Sequence, residues 1–154
     1  LAVPLYEQLE LLKKNKVAVV CGILSGTLAS LTGIFVLCML FGFNHQQYVT
    51  MLPKSITTAI GIGISEELGG IVTITVAVII ITGILGNVIA DTVFHIFKIK
   101  NPLAKGLALG TASHAIGTAR AIEMGPVEGA MSSLAVAVAG LLTVVFVSGF
   151  AQLI

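Results

Sequence analysis

TTAIGIGISEELG at residues 57–69 and SHAIGTARAIEMG at residues 113–125 are two copies of one pattern. Each contains Ala-Ile-Gly, five further residues, and then glutamate, an apolar residue and glycine, and the copies are offset by 56 positions. A long apolar run comes soon after each copy. Internal repeats in apolar chains are typical of transporters, which build one central site from two related halves. The pattern therefore predicts a membrane transport or permeation protein.

The composition also indicates a membrane protein. Hydrophobic residues make up 56% of the 154 positions and charged residues 10%, whereas soluble domains carry roughly 25% charged residues. Three stretches, residues 17–43, 68–90 and 130–154, carry no charge and are 27, 23 and 25 residues long. Each exceeds the roughly 20 residues that a helix needs to cross a bilayer core. We therefore expect three transmembrane helices.

Two shorter segments contain the repeated pattern. The first opens at Pro53 and ends near Glu67, and the second covers residues 105–122. About 14 residues of helix reach roughly 21 Å, which is less than the roughly 30 Å of the hydrocarbon core. The sequence thus predicts an all-α integral membrane fold with three long transmembrane helices and two short re-entrant or broken helices that form an inverted repeat. Short segments that cross the bilayer fully are the less favoured alternative.

The chain is expected to form a single membrane domain over residues 1–154. Its repeat units cover about residues 17–69 and 73–125, and a final transmembrane helix covers about residues 130–154. Residues 44–50 are polar and predict a linker. The opening LAVPLY, at residues 1–6, is typical of the exit from an earlier helix, so we expect further amino-terminal helices in the whole protein.

The lysines predict the orientation of the chain in the membrane. Residues 13–16 read KKNK, and the positive-inside tendency places this loop in the cytoplasm. If both short segments are re-entrant, Lys98, Lys100 and Lys105 fall on the same side. Lys54 is then expected alone on the outer side.

Several function classes are excluded or disfavoured. The net charge of +1 and the lack of a large basic cluster give no footprint for nucleic acid. No two histidines have the spacing of metal ligands, so neither a metal nor a cofactor is predicted. Ser113 and His114 are adjacent, and neighbouring side chains on a helix diverge, which argues against a nucleophile–base pair and against an enzyme.

The second copy holds most of the candidate substrate-binding residues. Polar side chains within a membrane face protein or a watery cavity, and five of them lie close together: Thr111, Ser113, His114, Thr118 and Arg120. An arginine at the centre of a membrane helix costs about 2.5–3.5 kcal/mol, so it needs a carboxylate, water or an anionic ligand. The alternatives for Arg120 are an interfacial position or a pair with Glu123. His114 either binds substrate or protons, or is a buried neutral histidine bonded to a backbone carbonyl.

The first copy and the residues just before it add the hydroxyl groups of Ser55, Thr57 and Thr58 and the charge of Lys54. Glu67 and Glu123 are either site acids that couple transport or structural residues at helix ends, and the glycine that follows each of them favours the structural role. Helix starts in both short segments would direct unpaired backbone N–H groups toward the middle of the membrane. A small organic anion is therefore the expected substrate class.

The sequence KGLALGTASHAIGTARA, at residues 105–121, resembles the signature of the LrgB/CidB family. PKSITT at residues 53–58 and SEELGG at residues 65–70 resemble an earlier motif of that family. The resemblance covers nearly the whole chain, from residues 2–6 onward, and the amino-terminal helices of the family are absent from it.

The resemblance implies a multi-pass protein of the bacterial inner membrane. Its expected partners are the lipid bilayer and a small holin-like membrane protein of the LrgA/CidA type. Assembly into a homo-oligomer is a further alternative. The family is associated with control of murein hydrolase activity and autolysis, and its plant relatives are plastid glycolate/glycerate translocators. Two functions follow as hypotheses: transport of small monocarboxylates such as pyruvate or glycolate, or a regulatory or pore-complex role with the holin-like partner and no substrate of its own.

Overall fold

The computed structural model describes residue 6 and residues 8–154, with the backbone alone for residue 9. The expectation of an earlier helix rests on residues 1–6, of which residues 1–5 lie outside this description. The described residues form seven helices and no strand. In chain order the helices are α1 (Leu9–Lys14), α2 (Lys16–Phe41), α3 (His45–Met51), α4 (Thr58–Glu67), α5 (Val72–Ile96), α6 (Pro102–Met124) and α7 (Pro126–Ala151).

Three of the helices are long and apolar enough to cross a membrane. They are α2, α5 and α7, with 26, 25 and 26 residues, and each exceeds the roughly 20 residues that a crossing needs. Their ends carry local stop and start signals: Gly42 closes α2 in a left-handed conformation, and Pro126 occupies the first turn of α7. The prediction of an all-α protein with three transmembrane helices is confirmed, and the chain is a multi-pass membrane protein.

The first short segment is a helical hairpin made of α3 and α4. The prediction of a linker at residues 44–50 is wrong, because Asn44 and Gln47 form a capping box that starts α3. Pro53 follows the end of α3, since proline has no N–H to continue a helix. Residues 53–57 form the turn, and α4 then runs back to the glycines at 69 and 70.

Contacts with α7 and α5 give the direction of both arms of this hairpin. The start of α3 lies at the end of α7, where the Tyr48 hydroxyl donates to the Phe150 carbonyl at 2.8 Å. The end of α4 lies at the start of α5, where the hydroxyls of Ser65 and Thr75 are 2.8 Å apart. The hairpin therefore begins and ends at the same end of the bundle, which we call the outer end.

The second short segment is a helix, α6, that is broken at His114. This residue has φ 43° and ψ −137°, which is far from helical geometry. A Cβ on Gly117 would lie 2.8 Å from the carbonyl oxygen of Leu109, whereas residues eight apart in a straight helix are separated by about 12 Å. The chain therefore folds back at His114, and residues 102–113 and 115–124 are two arms of a second hairpin.

The arms of α6 run in opposite directions along α7. The contacts that show this are Gly106 with Met131 and Gly110 with Ala135 for the first arm, and Thr118 with Ser132 and Ile122 with Gly129 for the second. Both arms meet the start of α7, at the end of the bundle where Lys98 and Lys100 also lie. We call this the inner end. The prediction of short broken or re-entrant segments is confirmed, whereas the inverted repeat stays a prediction.

Lys54 lies away from the outer surface, contrary to expectation. Its Nζ atom is 3.3 Å from the hydroxyl oxygen of Ser30, which is near the middle of α2. The turn of the first hairpin carries the lysine into the bundle, because α3 leads inward for two turns before Pro53 stops it.

Candidate functional site

The tips of the two hairpins meet near the middle of the bundle. A small cavity of about 10 Å³ lies between them, with Ser55 and Ile56 from the first hairpin and Thr111 from the second. Such a volume is about that needed to hold one water molecule. Helices α2 and α7 complete the wall through Thr27 and Thr143.

A wider groove of about 780 Å³ leads from this meeting point toward the inner end. It lies between α2 and the first arm of α6. Most of its lining residues are small, and they include Gly22, Gly26, Ala104 and Ala108. Small side chains leave room at this interface, and Lys54 and Ser55 lie where the groove ends in the middle of the bundle.

Lys54 is the cation nearest to the meeting point. Its Nζ atom donates to the hydroxyls of Ser55, at 2.7 Å, and Ser30, at 3.3 Å. The Ser30 hydroxyl in turn donates to Ser55 at 3.0 Å. Among the residues that the structure describes, no carboxylate lies within 4.0 Å of this ammonium group. The sequence predicts Lys54 on the outer side and not among the substrate-binding residues, although a lone lysine beside Pro53 in an apolar segment is a visible signal.

His114 lies at the tip of the second hairpin and is 4% exposed. Its Nε2 atom lies 2.9 Å from the carbonyl oxygen of Ile79, in α5. A carbonyl can only accept, so this contact assigns the proton to Nε2. This is the carbonyl-bonded arrangement that was one of the two interpretations of this residue, and it fixes the hairpin tip to α5.

The other hydroxyls of the second copy are buried around the break in α6. Thr111 donates to the Leu107 carbonyl at 2.8 Å, and Thr118 donates to the His114 carbonyl at 3.0 Å. The Thr118 hydroxyl also lies 2.8 Å from that of Ser132, so it connects the second arm to α7. Ser113 is 2% exposed and packs against Gly86 of α5. Thr111 is the member of this set that also lines the cavity and the groove, and Lys54 lines the same groove.

Arg120 lies apart from the hairpin tips, toward the inner end. Its guanidinium group forms ion pairs with Asp91 of α5 and with Glu123, the latter at 2.7 Å. The pair with Glu123 is one of the alternatives that the sequence offers, whereas the pair with Asp91 joins two helices that the sequence alone does not bring together. About a third of the Arg120 side chain is exposed. In this conformation the guanidinium is occupied by two carboxylates.

The remaining candidates lie on the first hairpin. Thr57 and Thr58 are half-buried at the start of α4, with Thr57 in the N-cap position. Glu67 is exposed and ends α4, just as Glu123 lies near the end of α6. Within the described part of the chain, no group of three His, Cys, Asp or Glu side chains is arranged to hold a metal ion.

Comparison with known proteins identifies a family. The LrgB-like family matches residues 1–153. The chain is 40% identical over 153 residues to an antiholin-like protein LrgB of Bacillus subtilis (strain 168), covering 99% of this chain and 66% of the relative. It is 42% identical over 149 residues to proteins of the same name from Bacillus cereus (strain B4264) and Bacillus anthracis (strain CDC 684 / NRRL 3495), covering 97% of this chain and 65% of each relative. The chain thus spans about two thirds of the length of these relatives, and no solved structure matches it.

Proposed function

The chain belongs to the LrgB-like family, and we propose that its full-length protein transports small monocarboxylates of the pyruvate or glycolate type across the bacterial inner membrane. The observation that supports this most strongly is the meeting of two helical hairpins midway through the bundle. In transporters built from repeats, broken helices that meet near the membrane midplane form the substrate site.

Helix starts at the hairpin tips suit an anionic substrate. The ten-residue α4 begins at Thr58, in the first tip, and the second arm of α6 begins at Ala115, directly after the break. The first turn of a helix has unpaired backbone N–H groups and the positive end of the helix dipole. Both starts lie at the depth where the hairpins meet, so the backbone itself favours a carboxylate there.

The two hairpins also provide a means of alternating access. The first enters from the outer end and the second from the inner end, and this supports the proposed inverted repeat of residues 17–69 and 73–125. Movement of one hairpin at a time would expose the meeting point to one side of the membrane. We assign Thr111 to the wall of this site, where it lines both the cavity and the groove. Thr57, Thr58, Ser113, His114 and Thr118 belong to the hairpin tips that frame the site, and Glu67, Glu123 and Arg120 to the ends of the hairpin arms.

A link to control of murein hydrolases and autolysis fits this function. Where the acids cross the inner membrane together with protons, their flux changes the proton balance at the cell wall, which is where such hydrolases act. The protein then affects them through flux and needs no catalytic site of its own.

A second candidate is a regulatory subunit that acts with a holin-like LrgA/CidA-type partner. It is favoured by the apolar face of α5, on which large side chains such as Ile81, Leu85 and Val88 are at least half exposed. This face contacts lipid, remaining helices of the full-length protein or a partner. Such a subunit would require these side chains, whereas the polar residues at the hairpin tips would be dispensable.

Uptake by the purified full-length protein in liposomes tests the proposal. Labelled pyruvate and glycolate are supplied with and without an imposed proton gradient, and empty liposomes are the control. Saturable uptake supports transport. No uptake by protein shown to be folded contradicts it, and pull-down of the full-length protein with a co-expressed holin-like partner then tests the regulatory function.

A further inference from the structure

The ammonium group of Lys54 has hydrogen-bonding capacity that the protein does not use. An ammonium has three N–H donors. Two are directed to the hydroxyls of Ser55 and Ser30, at 2.7 and 3.3 Å. One donor therefore remains for a ligand.

The Ser55 hydroxyl has the same kind of spare capacity. Its oxygen accepts from Lys54 and from Ser30, at 2.7 and 3.0 Å. Both of its lone pairs are thus occupied, and its own proton is left to donate. Two unused donors, one of them charged, lie side by side at the tip of the first hairpin, and a carboxylate offers two acceptor oxygens to such a pair.

The surroundings of these donors make an anion the fitting ligand. Lys54 is the one charged side chain among the described residues that line the groove between α2 and α6. A cation at membrane depth without a carboxylate is costly, and an anionic ligand removes that cost. Besides Lys54, Ser30 and Ser55, the groove has three polar lining residues: Ser25 of α2, Asn101 just before α6, and Thr111 of α6.

We propose that Lys54 and Ser55 bind the carboxylate group of the substrate, and that Ser30 holds Ser55 in position. This inference rests on the proposed transport function and names the site within it. Because Arg120 is paired with Asp91 and Glu123, Lys54 alone compensates the charge of the ligand. One cation neutralises one carboxylate, so the site selects monocarboxylates, and a dicarboxylate would leave its second charge without a partner.

Binding of pyruvate and glycolate to the purified full-length protein, measured by calorimetry, tests the proposal. Lys54→Gln removes the charge, Lys54→Arg keeps it, and Lys100→Gln is the matched control, since Lys100 is exposed and lies outside the groove. We expect Lys54→Gln to weaken binding about tenfold or more, which is the usual effect of losing a charged hydrogen bond. Lys54→Arg and Lys100→Gln should stay within about threefold of the wild type. Size-exclusion profiles and melting temperatures show whether each variant is folded, and Ser55→Ala gives a second test that leaves the charge in place.

The outcomes separate this inference from the function on which it rests. If folded Lys54→Gln and Ser55→Ala bind pyruvate and glycolate with wild-type affinity and still transport them, the Lys54 site is overturned and the transport function stands. Malonate has two carboxylate groups. If malonate competes with pyruvate as strongly as glycolate does, the proposed selection for one charge is overturned. A wild-type protein that neither binds nor transports either acid overturns both.

Discussion

The Nε2 atom of His114 lies 2.9 Å from the carbonyl oxygen of Ile79, and this contact joins the break in α6 to α5. His114 has a backbone conformation, φ 43° and ψ −137°, that side-chain-bearing residues rarely adopt. The hydrogen bond therefore helps to hold an unfavourable conformation at the tip of the second hairpin. The stability of that hairpin depends on this balance between the side chain and the backbone.

Substitution of His114 should separate the contribution of its side chain from that of its backbone. His114→Gly loses the hydrogen bond to Ile79, at a cost of about 1–3 kcal/mol, but it adopts a positive φ without strain, and because this relief offsets much of that cost we expect a net change in stability within about 1 kcal/mol. His114→Val loses the same bond and adds a β-branched side chain at positive φ, at a further cost of about 1–3 kcal/mol. Thermal unfolding of the full-length protein in detergent measures both. A valine variant as stable as the glycine variant would contradict the strained hairpin tip.

Gly110 should be required for close packing of the second hairpin on α7. A Cβ at this position would lie 2.6 Å from the Cβ of Ala135 and 2.5 Å from the Ser132 carbonyl oxygen. Gly110→Ala must push the first arm of α6 away from α7. We expect a loss of stability on the order of 1–3 kcal/mol, measured as a clear fall in melting temperature.

Gly63→Ala is the matched control for Gly110→Ala. Gly63 lies within α4, and a methyl group added at its Cα atom would have no neighbouring atom within 4 Å. Alanine is the better helix former by about 0.5–1 kcal/mol, so this variant should be as stable as the wild type or slightly more stable. Equal losses for both variants would show that α6 does not pack on α7 as described.

The ion pair between Arg120 and Asp91 should act as a unit. If Arg120 serves to hold the second arm of α6 to α5, Arg120→Ala and Asp91→Ala will change transport and melting temperature in the same direction, and the double variant will add little to either. The exposed position of the pair makes its effect weaker at high salt. Transport assays and melting curves at about 0.05 M and 0.5 M salt measure this.

Different effects of the two single substitutions would indicate that Arg120 is a substrate ligand. Loss of transport in Arg120→Ala, with normal transport in Asp91→Ala, would mean that the guanidinium binds the substrate in another conformation. Lys100→Ala, at an exposed lysine outside the pair, is the control for a general effect of charge.

The sequence predicted the helices better than it predicted the contacts between them. Three uncharged runs indicated the transmembrane helices, because length and apolarity alone decide whether a helix can cross a membrane. The polar residues 44–50 predict a linker, but the capping box of Asn44 and Gln47 starts a helix there.

The candidate site was harder to predict because it depends on how the chain folds back. The polar residues of the second copy were found from their presence in an apolar chain, and four of them, Thr111, Ser113, His114 and Thr118, are buried near the break. An arginine within a membrane is expected to need a carboxylate, water or an anionic ligand. Asp91 supplies a carboxylate to Arg120. Spacing along the chain could not reveal this pair, because Asp91 lies on another helix. The prediction that Lys54 lies on the outer side is wrong. The depth that a hairpin tip reaches is set by packing, which the sequence does not show.

Accessibility of Ala112, with and without substrate, tests the central claim most directly. Ala112 lines the same groove as Lys54 without being assigned as a ligand, and Lys100, which is exposed at the inner end and lies outside the groove, is the control position. In full-length protein with Cys21 and Cys38 replaced by serine, Ala112→Cys in liposomes is treated with a water-soluble thiol reagent. We predict that Ala112→Cys is labelled, that pyruvate or glycolate slows its labelling, and that neither acid changes the labelling of Lys100→Cys. A cysteine at position 112 that reacts at the same rate with and without either acid would contradict a carboxylate site where the hairpins meet.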